Sequence, residues 1–163
     1  MKLIAAVDQN WAIGRKNRLL TSIPEDMRFF RETTTGHIVV MGRKTLESFP
    51  GGRPLKDRVN IVLTRRADYD AKGAIVVPDP EALKGVLAQY PDEEVFVIGG
   101  ESIYRTLLDA CDTAYITRID FAYEADAWFP DLDADPAWEL AKEGEEETYF
   151  DLCYRFCIYR RKR

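Results

Sequence analysis

The sequence has few of the side chains that bind metal ions or form disulfides. Its 163 residues include one histidine, His37, and three cysteines. Cys153 and Cys157 lie four residues apart, so along a strand they would be roughly 13 Å from each other, which is too far for a disulfide. The sequence also contains no Cys-x-x-Cys pair. We therefore expect reduced cysteines and no metal site.

Long hydrophobic runs and an excess of positive charge are also missing. The apolar run at residues 3–7 is too short for a signal peptide, and no later run is long enough to cross a membrane. The net charge of −5, from 28 acidic and 23 basic residues, has the opposite sign to that of a typical nucleic-acid binder. We expect a cytoplasmic protein that binds neither nucleic acid nor membrane.

The size and the apolar content fit one ordinary domain over residues 1–163, which we expect to be a monomer. Apolar runs and turn residues predict strands at residues 3–7, 37–41, 59–64, 74–77, 95–98, 114–121 and 149–159. They predict helices at residues 24–34, 42–49, 80–89 and 101–108, and a loop at residues 8–18. This alternation is typical of an α/β fold with a mostly parallel sheet, and the late strands suggest an antiparallel edge.

The first predicted helix carries a carboxylate beside apolar side chains. Pro24 is favoured at the first helical position, where its missing N–H would have had no partner, so Asp26 falls in the first turn. Met27 and Phe30 are its apolar neighbours. Acidic residues in a first turn also complement the helix dipole, which is sufficient to explain Glu25. This segment alone leaves open whether Asp26 does more.

Three predicted strands end in residues that suit phosphate binding, and ligands of open α/β sheets bind at the carboxyl ends of strands. Gly99-Gly100 follows one strand and leaves the backbone accessible to a pyrophosphate. Arg43-Lys44 and Arg65 follow two others. Each segment alone also fits a tight connection or a solvated turn, and the chain has no Rossmann or Walker motif. Together the three ends indicate a phosphorylated dinucleotide.

An ordered set of short motifs runs through the chain. It comprises Ile4-Ala5-Ala6, Ile13-Gly14, Ile23-Pro24-x-Asp26 with Phe30, Met41-Gly42-Arg43-x-Thr45, Gly52-Arg53-Pro54-Leu55, Arg58, Ile98-Gly99-Gly100 and Phe129-Pro130. On these motifs the chain resembles the dihydrofolate reductase family over essentially its whole length. The resemblance implies a mixed, mostly parallel, eight-stranded twisted sheet flanked by helices, with a C-terminal antiparallel edge. It also implies an enzyme of one-carbon metabolism that transfers hydride from NADPH to 7,8-dihydrofolate, giving tetrahydrofolate.

The resemblance assigns catalytic roles to Asp26, Thr117 and Leu19, with Thr117 bracing the carboxylate that binds the pterin ring. Arg58 is similar to the guanidinium that binds the glutamate α-carboxylate. The implied substrate contacts are Ile4, Ala5, Asp26, Met27, Phe30, Phe49, Leu55, Arg58, Ile98 and Thr117. Because its neighbours are apolar, we expect the pKa of Asp26 to be raised.

The resemblance also implies a large set of cofactor contacts. They are Ala6, Ile13, Gly14, Asn17, Arg18, Leu19, Gly42, Arg43, Lys44, Thr45, Leu63, Thr64, Arg65, Ile98, Gly99, Gly100, Glu101, Ser102, Ile103 and Tyr104. Within this set, residues 14–19 resemble a mobile loop that closes over the nicotinamide and excludes water. Arg43, Thr64 and Arg65 match the pocket for the 2′-phosphate, which favours NADPH over NADH.

The chain departs from the family pattern at three places. Leu20-Thr21 stands where Pro-Trp is usual in the family. That tryptophan helps to order a water near the pterin nitrogen that accepts a proton, and the Thr21 hydroxyl is the candidate to hold a water in its place. Two additional residues lie near Pro50-Gly51, and Ala125 replaces a frequent glycine. None of these changes removes a group that the reaction requires.

Two other functions are compatible with parts of the sequence. A reductase of riboflavin synthesis shares the implied fold and cofactor, but it should lack the Pro-x-Asp helix followed by Phe30. A dinucleotide-binding module without catalysis would have no reason to combine Asp26, Thr117 and Arg58. The sequence has all three, which favours the folate enzyme.

Overall fold

The computed structural model describes residues 1–90 and 94–163. Its strands are β1 Lys2–Val7, β2 Ala12–Arg15, β3 Arg18–Leu19, β4 Ile38–Gly42, β5 Val59–Leu63, β6 Ile75–Val77, β7 Val95–Gly99, β8 Thr113–Ile119, β9 Ala127–Trp128, β10 Trp138–Glu143, β11 Glu147–Tyr149 and β12 Leu152–Arg161. Its α-helices are α1 Pro24–Thr34, α2 Arg43–Ser48, α3 Pro80–Leu87 and α4 Glu101–Leu107.

The main sheet has the strand order β10-β12-β8-β1-β7-β4-β5-β6, and β11 adds to β12. The pairs from β8 to β6 are parallel, whereas β12 pairs antiparallel with β8, β10 and β11. The expected mixed sheet of eight strands with a C-terminal antiparallel edge is therefore confirmed.

The two faces of the sheet bury different side chains. All five residues of β4 are buried, as expected for a central parallel strand covered on both sides. Val40 belongs to the larger core cluster with Leu3 and Val97, while Val39 and Met41 pack in a second cluster. A third, smaller cluster includes Ile23, Ile119 and Tyr154.

The predicted loop at residues 8–18 is wrong in part, because this segment contains β2 and begins β3. These strands form a separate antiparallel sheet in the order β3-β2-β9. Strands of four and two residues are too short to show an alternating hydrophobic pattern, and β9, the second partner of β2, lies more than 100 positions away along the chain. Gly14 is required here, since a Cβ would lie 2.8 Å from the carbonyl oxygen of Arg18.

The single long strand predicted at residues 149–159 is also wrong. Tyr149 ends β11, the chain turns at Phe150, and β12 begins at Leu152. Phe150 has a φ of 53° and is 88% exposed, so it does not share the apolar face of β12. Because Phe150 continues the apolar pattern of the strand, the sequence gives no sign of the turn. The predicted strand at residues 114–121 likewise ends earlier, at Ile119.

Residues at the N-termini of α1 and α3 explain where these two helices begin. Pro24 occupies the first turn of α1, as predicted. Asp79 caps α3 by accepting a hydrogen bond from the Ala82 N–H at 2.8 Å. In the described part of the chain, no helix combines the length and the apolar content needed to span a bilayer.

All three cysteines are free thiols, as predicted. Cys111 and Cys157 are buried, and burial raises the pKa of both thiols. Such thiols behave as small packed hydrophobes rather than as nucleophiles.

Candidate active site

Asp26 and Thr117 are joined by a short hydrogen bond. Thr117 lies in β8, next to Ala6 of β1 in the parallel register, and its hydroxyl donates to Asp26 Oδ1 at 2.6 Å. The two residues are 91 positions apart in sequence, and Thr117 is 2% exposed. Glu25, by contrast, pairs with Arg28 on the exposed side of α1. The helix-dipole explanation therefore suits Glu25, while Asp26 is turned toward the sheet.

Burial raises the pKa of Asp26 above its ordinary value, and the hydrogen bond from Thr117 opposes this rise without cancelling it. The direction is the one expected from the apolar neighbours. A half-buried carboxylate of this kind gains from any ligand that offers N–H donors, because such donors favour the charged form.

Apolar side chains around Asp26 are more exposed than core residues of the same type. Met27 is 44% exposed, and Phe30 is half-buried. Ile4 is buried on the neighbouring strand β1, and its carbonyl accepts a hydrogen bond from the Tyr104 hydroxyl at 2.7 Å. A carbonyl has a second lone pair, so the Ile4 oxygen can still accept from a ligand.

The remaining predicted substrate contacts lie on β1, on β7 and on the segment between α2 and β5. Ala5 is half-buried on β1, and Ile98 is half-buried on β7, the parallel neighbour of β1. Phe49 and Leu55 are partly buried and pack on the cluster formed by Val39 and Met41. Ile98 packs on the same cluster, so Phe49, Leu55 and Ile98 form one continuous apolar surface.

Arg58 is held in place at the end of α1. Its Nη1 donates to the Thr34 hydroxyl at 3.1 Å, and its Nε donates to the Lys56 carbonyl at 2.9 Å. Burial lowers the pKa of Arg58, but a guanidinium remains charged at neutral pH. Asn60 was not identified from sequence; its amide bonds both the N–H and the carbonyl of Leu55 at 2.9 Å, which fixes the segment leading to Arg58.

The three strand ends that suggested phosphate binding lie side by side. Strands β7, β4 and β5 are adjacent and parallel, with Met41 opposite Gly99 and Gly42 opposite Leu63. Gly99-Gly100, Arg43-Lys44 and Thr64-Arg65 therefore meet at one edge of the sheet. Only the strand order brings them together, because β6 and α3 separate β5 from β7 in sequence.

Close contacts with neighbouring side chains explain why two positions at this edge are glycine. Gly99 has a φ of 134°, and a Cβ there would lie 3.4 Å from Thr45 Oγ1 and 3.6 Å from the Tyr104 hydroxyl. A Cβ on Gly42 would lie 2.9 Å from the buried side chain of Ile103. The peptide bond between Gly99 and Gly100 is cis. The glycines thus let α2 and α4 approach the strand ends closely and leave bare backbone at the turn.

Arg43 already has an acidic partner. Its Nη1 contacts both carboxylate oxygens of Glu47 at 2.7 Å, one turn along α2. At the start of a helix, where the dipole disfavours a cation, Glu47 therefore supplies Arg43 with an opposite charge. Arg65 is exposed and Thr64 is half-buried, with its hydroxyl accepting a hydrogen bond from the Arg66 N–H at 3.3 Å.

The segment around β2 and β3 is bound to both α2 and the 126–129 segment. Asn17 Nδ2 donates to the Lys44 carbonyl at 2.9 Å, and the Lys16 N–H donates to Asp126 Oδ2 at 2.9 Å. The Asp126 N–H donates in turn to the Gly14 carbonyl at 3.1 Å. Arg18 and Leu19 themselves are exposed. Ile13 packs against the core cluster that contains Leu3, and Ala6 packs against the cluster that contains Ile23.

The first two residues of α4 make hydrogen bonds within the protein. The backbone carbonyl of Ser102 accepts a hydrogen bond from the Thr106 hydroxyl at 2.7 Å. The carboxylate of Glu101 accepts a hydrogen bond from the Trp128 N–H at 3.0 Å. The Glu101 carboxylate is thus engaged within the protein rather than free at the Gly99-Gly100 turn.

Asp8 is a buried carboxylate that sequence reasoning did not single out. It is 0% exposed. Its Oδ1 accepts from the N–H groups of Asn10 and Ala12 at 2.8 and 2.9 Å, and its Oδ2 accepts from the Tyr123 N–H at 2.9 Å. An acidic residue directly after an apolar strand, followed by a polar turn, is the signal that points to such a turn-forming side chain.

The edge formed by β7, β4 and β5 fits a phosphorylated dinucleotide. The backbone at Gly99 leaves room for a ligand that a Cβ would restrict. Arg43, Lys44 and Arg65 provide positive charge beside this turn. In the described ranges, no group of three or more metal-ligating side chains occurs. The donor set therefore suits an organic anion.

Comparison with known proteins agrees with this geometry. The family model described as "Dihydrofolate reductase" matches residues 1–161. The chain is 39% identical over 166 residues to dihydrofolate reductase of Bacillus subtilis (strain 168), covering 99% of this chain and 95% of the relative. It is 38% identical over 157 residues to dihydrofolate reductase of Neisseria gonorrhoeae, with coverages of 96% and 95%.

A solved structure has the same fold throughout. Dihydrofolate reductase from Enterococcus faecalis, complexed with NADP(H) and RAB-propyl, superposes with a TM-score of 0.85 at 34% identity, covering 99% of this chain and 96% of that chain. The match thus extends over the braced carboxylate on α1 and over the three strand ends. On the sequence and the structure alike, this chain belongs to the dihydrofolate reductase family.

Proposed function

We propose that this protein reduces 7,8-dihydrofolate to 5,6,7,8-tetrahydrofolate with NADPH as hydride donor. Asp26 carries the proposal, because it is a half-buried carboxylate braced by Thr117 at 2.6 Å and surrounded by partly exposed apolar side chains. A helix-dipole residue would have no need of such a brace. A carboxylate with both features suits a flat ring that offers N–H donors along one edge.

Asp26 binds and orients the pterin. Its oxygens accept hydrogen bonds from the ring's amino group and from a ring N–H, and these donors stabilise the charge that burial disfavours. Thr117 fixes one oxygen, so the carboxylate keeps one orientation when the ring enters. The carbonyls of Ile4 and Ile98 accept from the far side of the amino group. The same contacts hold the ring close to the strand ends of β1 and β7.

Arg58 binds the glutamate end of the substrate. Its contacts with Thr34 and Lys56 hold the guanidinium before the substrate arrives, which reduces the entropy lost on binding. A guanidinium can then form two parallel hydrogen bonds with the α-carboxylate, which lysine cannot do. Phe30, Phe49 and Leu55 supply the apolar surface for the aromatic ring between the pterin and the glutamate.

The edge formed by β7, β4 and β5 holds the cofactor. When bound there, NADPH supplies the hydride that the pterin accepts. The Gly99-Gly100 backbone and the Thr45 hydroxyl bind the pyrophosphate, and Arg65 with Arg43 binds the 2′-phosphate. Leu19, 65% exposed on β3, covers the reacting rings and excludes water.

A direct assay tests this function. The protein is mixed with NADPH and dihydrofolate while the absorbance of NADPH is followed, with reactions lacking folate or containing NADH as controls. Asp26→Asn is expected to fold normally, as judged by circular dichroism, and to lose about 100-fold or more in turnover at neutral pH. Wild-type kcat/KM for this variant from about pH 5 to pH 9 would show that Asp26 has another role.

The partner and location expectations are part of the same proposal. We infer a monomer in the cytoplasm that acts on small molecules and has no nucleic-acid partner. The acidic net charge of −5 supports the last of these inferences. Size-exclusion chromatography with light scattering measures the oligomeric state. A stable dimer at micromolar concentration would contradict the monomer.

A further inference from the structure

One side chain connects the Gly99-Gly100 turn to the small antiparallel sheet. Glu101 is the first residue of α4 and directly follows the turn. Its Oε1 accepts the Trp128 N–H at 3.0 Å, and its Oε2 lies 3.4 Å from Arg105 Nε. The first contact crosses between two parts of the fold, whereas the second is an ordinary pair within one helix.

Trp128 belongs to β9, which carries β2 on its other side. Ala12 lies opposite Trp128 in this pairing, and the Phe129 N–H donates to the Trp11 carbonyl at 2.8 Å. The Trp128 N–H would be an unpaired donor at the edge of this sheet without Glu101. Glu101 therefore completes a chain of hydrogen bonds from the Gly99-Gly100 turn through β9 to β2.

The same strand leads into the segment that contacts α2. From Gly14 the chain continues to Asn17, whose side chain donates to the Lys44 carbonyl at 2.9 Å. The segment of β2 and β3 is thus attached at two points to elements that end at the proposed cofactor site. One attachment runs through Asn17 and the other through Glu101.

A carboxylate at position 101 also has a cost. Its charge lies one residue from a turn proposed to bind a pyrophosphate, so it repels the ligand. The pair with Arg105 offsets little of this, because both side chains are partly exposed, 34% for Glu101 and 54% for Arg105. The bond to Trp128 is the contact that distinguishes this carboxylate from a surface charge.

We infer that Glu101 is a positioning residue that couples occupation of the Gly99-Gly100 turn to the order of the β2–β3 segment. The inference rests on the proposed function, since it takes NADPH as the ligand of this turn. Fixing the turn fixes Glu101, which holds β9 and therefore β2. By linkage, an ordered β2–β3 segment increases the affinity for NADPH by the same factor.

Three variants separate this coupling from other roles of the side chain. Glu101→Ala removes the acceptor, Glu101→Gln keeps an oxygen for the Trp128 N–H but removes the charge, and Arg105→Gln breaks only the pair within α4. The measurements are the Kd for NADPH by titration calorimetry and the hydrogen exchange of amides 12–19 with and without NADPH. Thermal melting of each free variant verifies that it is folded.

Glu101→Ala is expected to bind NADPH roughly two- to tenfold more weakly, the range for one hydrogen bond, and to show less NADPH-dependent protection of amides 12–19 than the wild type, the remainder coming from direct contacts with the cofactor. Glu101→Gln should retain most of that protection, and Arg105→Gln should match the wild type. Tighter binding by both Glu101 variants would show that the carboxylate acts only by repulsion and would overturn the inference. Unchanged affinity and protection in Glu101→Ala would overturn it as well.

The failure of the proposed function has a different signature. In that case the wild-type protein itself shows no heat of binding with NADPH and no change in exchange. A wild type that binds NADPH and protects amides 12–19, together with an unaltered Glu101→Ala variant, refutes the role of Glu101 alone.

Discussion

Replacing Thr117 by valine removes the hydroxyl that braces Asp26 and little else. Thr117 is 2% exposed and valine has nearly the same shape, so the loss is that of the 2.6 Å hydrogen bond to Asp26 Oδ1. A hydrogen bond to an ionised acceptor contributes about 1.5–3 kcal/mol, against about 0.5–1.5 kcal/mol for a neutral one. Because Asp26 is only half-buried, we expect the lower half of each range.

The destabilisation by Thr117→Val should depend on pH. Burial raises the pKa of Asp26 and the Thr117 hydrogen bond lowers it, so the variant has the higher pKa of the two folded proteins. Below the pKa of the wild type, the carboxyl is neutral in both proteins and only a neutral hydrogen bond is lost. Above the pKa of the variant, both are charged and the full loss applies. The destabilisation therefore grows as the pH rises through this interval.

Urea unfolding followed by tryptophan fluorescence measures this dependence at a series of pH values. Thr117→Ser is the matched control, because it keeps the hydroxyl and removes only a methyl group. The pH profile of kcat/KM should show the step assigned to Asp26 at higher pH in Thr117→Val than in Thr117→Ser. A destabilisation that is the same at every pH, or equal effects of valine and serine, would refute the reasoning.

Five further substitutions test individual side chains. Asp26→Asn removes a charge that burial disfavours, so the variant should be more stable than wild type at neutral pH. In urea titrations this gain should disappear, at about 1.4 kcal/mol per pH unit, as the pH falls from the raised pKa to the ordinary one. Arg58→Leu should weaken folate binding by about 1.5–3 kcal/mol with little change for NADPH, and equal losses in calorimetry would contradict the assignment. Arg65→Gln should reduce the preference for NADPH over NADH roughly tenfold, and Arg43→Gln should reduce it less because of its pair with Glu47; an unchanged ratio of kcat/KM values places the 2′-phosphate elsewhere. Asp8→Asn directs an amide N–H toward buried backbone N–H donors, so the free energy of unfolding measured with urea should fall by about 1.5–3 kcal/mol. A decrease below about 0.5 kcal/mol would show that this carboxylate is dispensable.

Local chemistry made part of the fold predictable. Pro24 located the first turn of α1, and Asp79 caps the first turn of α3, because a missing N–H and a capping carboxylate act within three residues of their own position. The buried strand β4 was visible as an apolar run. The strands β2, β3 and β9 were missed, since two to four residues show no period and their stability comes from pairing. Strand β10 was missed as well, because five of its six residues are exposed and it contains no apolar run.

The sequence by itself determined the order of the α-helices and of the apolar strands, the placement of one acid in the first turn of α1, and the basic and glycine residues after three strands. Whether those features form a site was decided only by the tertiary structure. The packing of α1 and α4 on the sheets brings Thr117 within 2.6 Å of Asp26 and joins Glu101 to Trp128. The pairs of Thr117 with Asp26 and of Glu101 with Trp128 arise between residues distant in the chain, and burial then determines how strongly each charge interacts. Such contacts leave no local pattern, because they depend on the packing of the whole sheet.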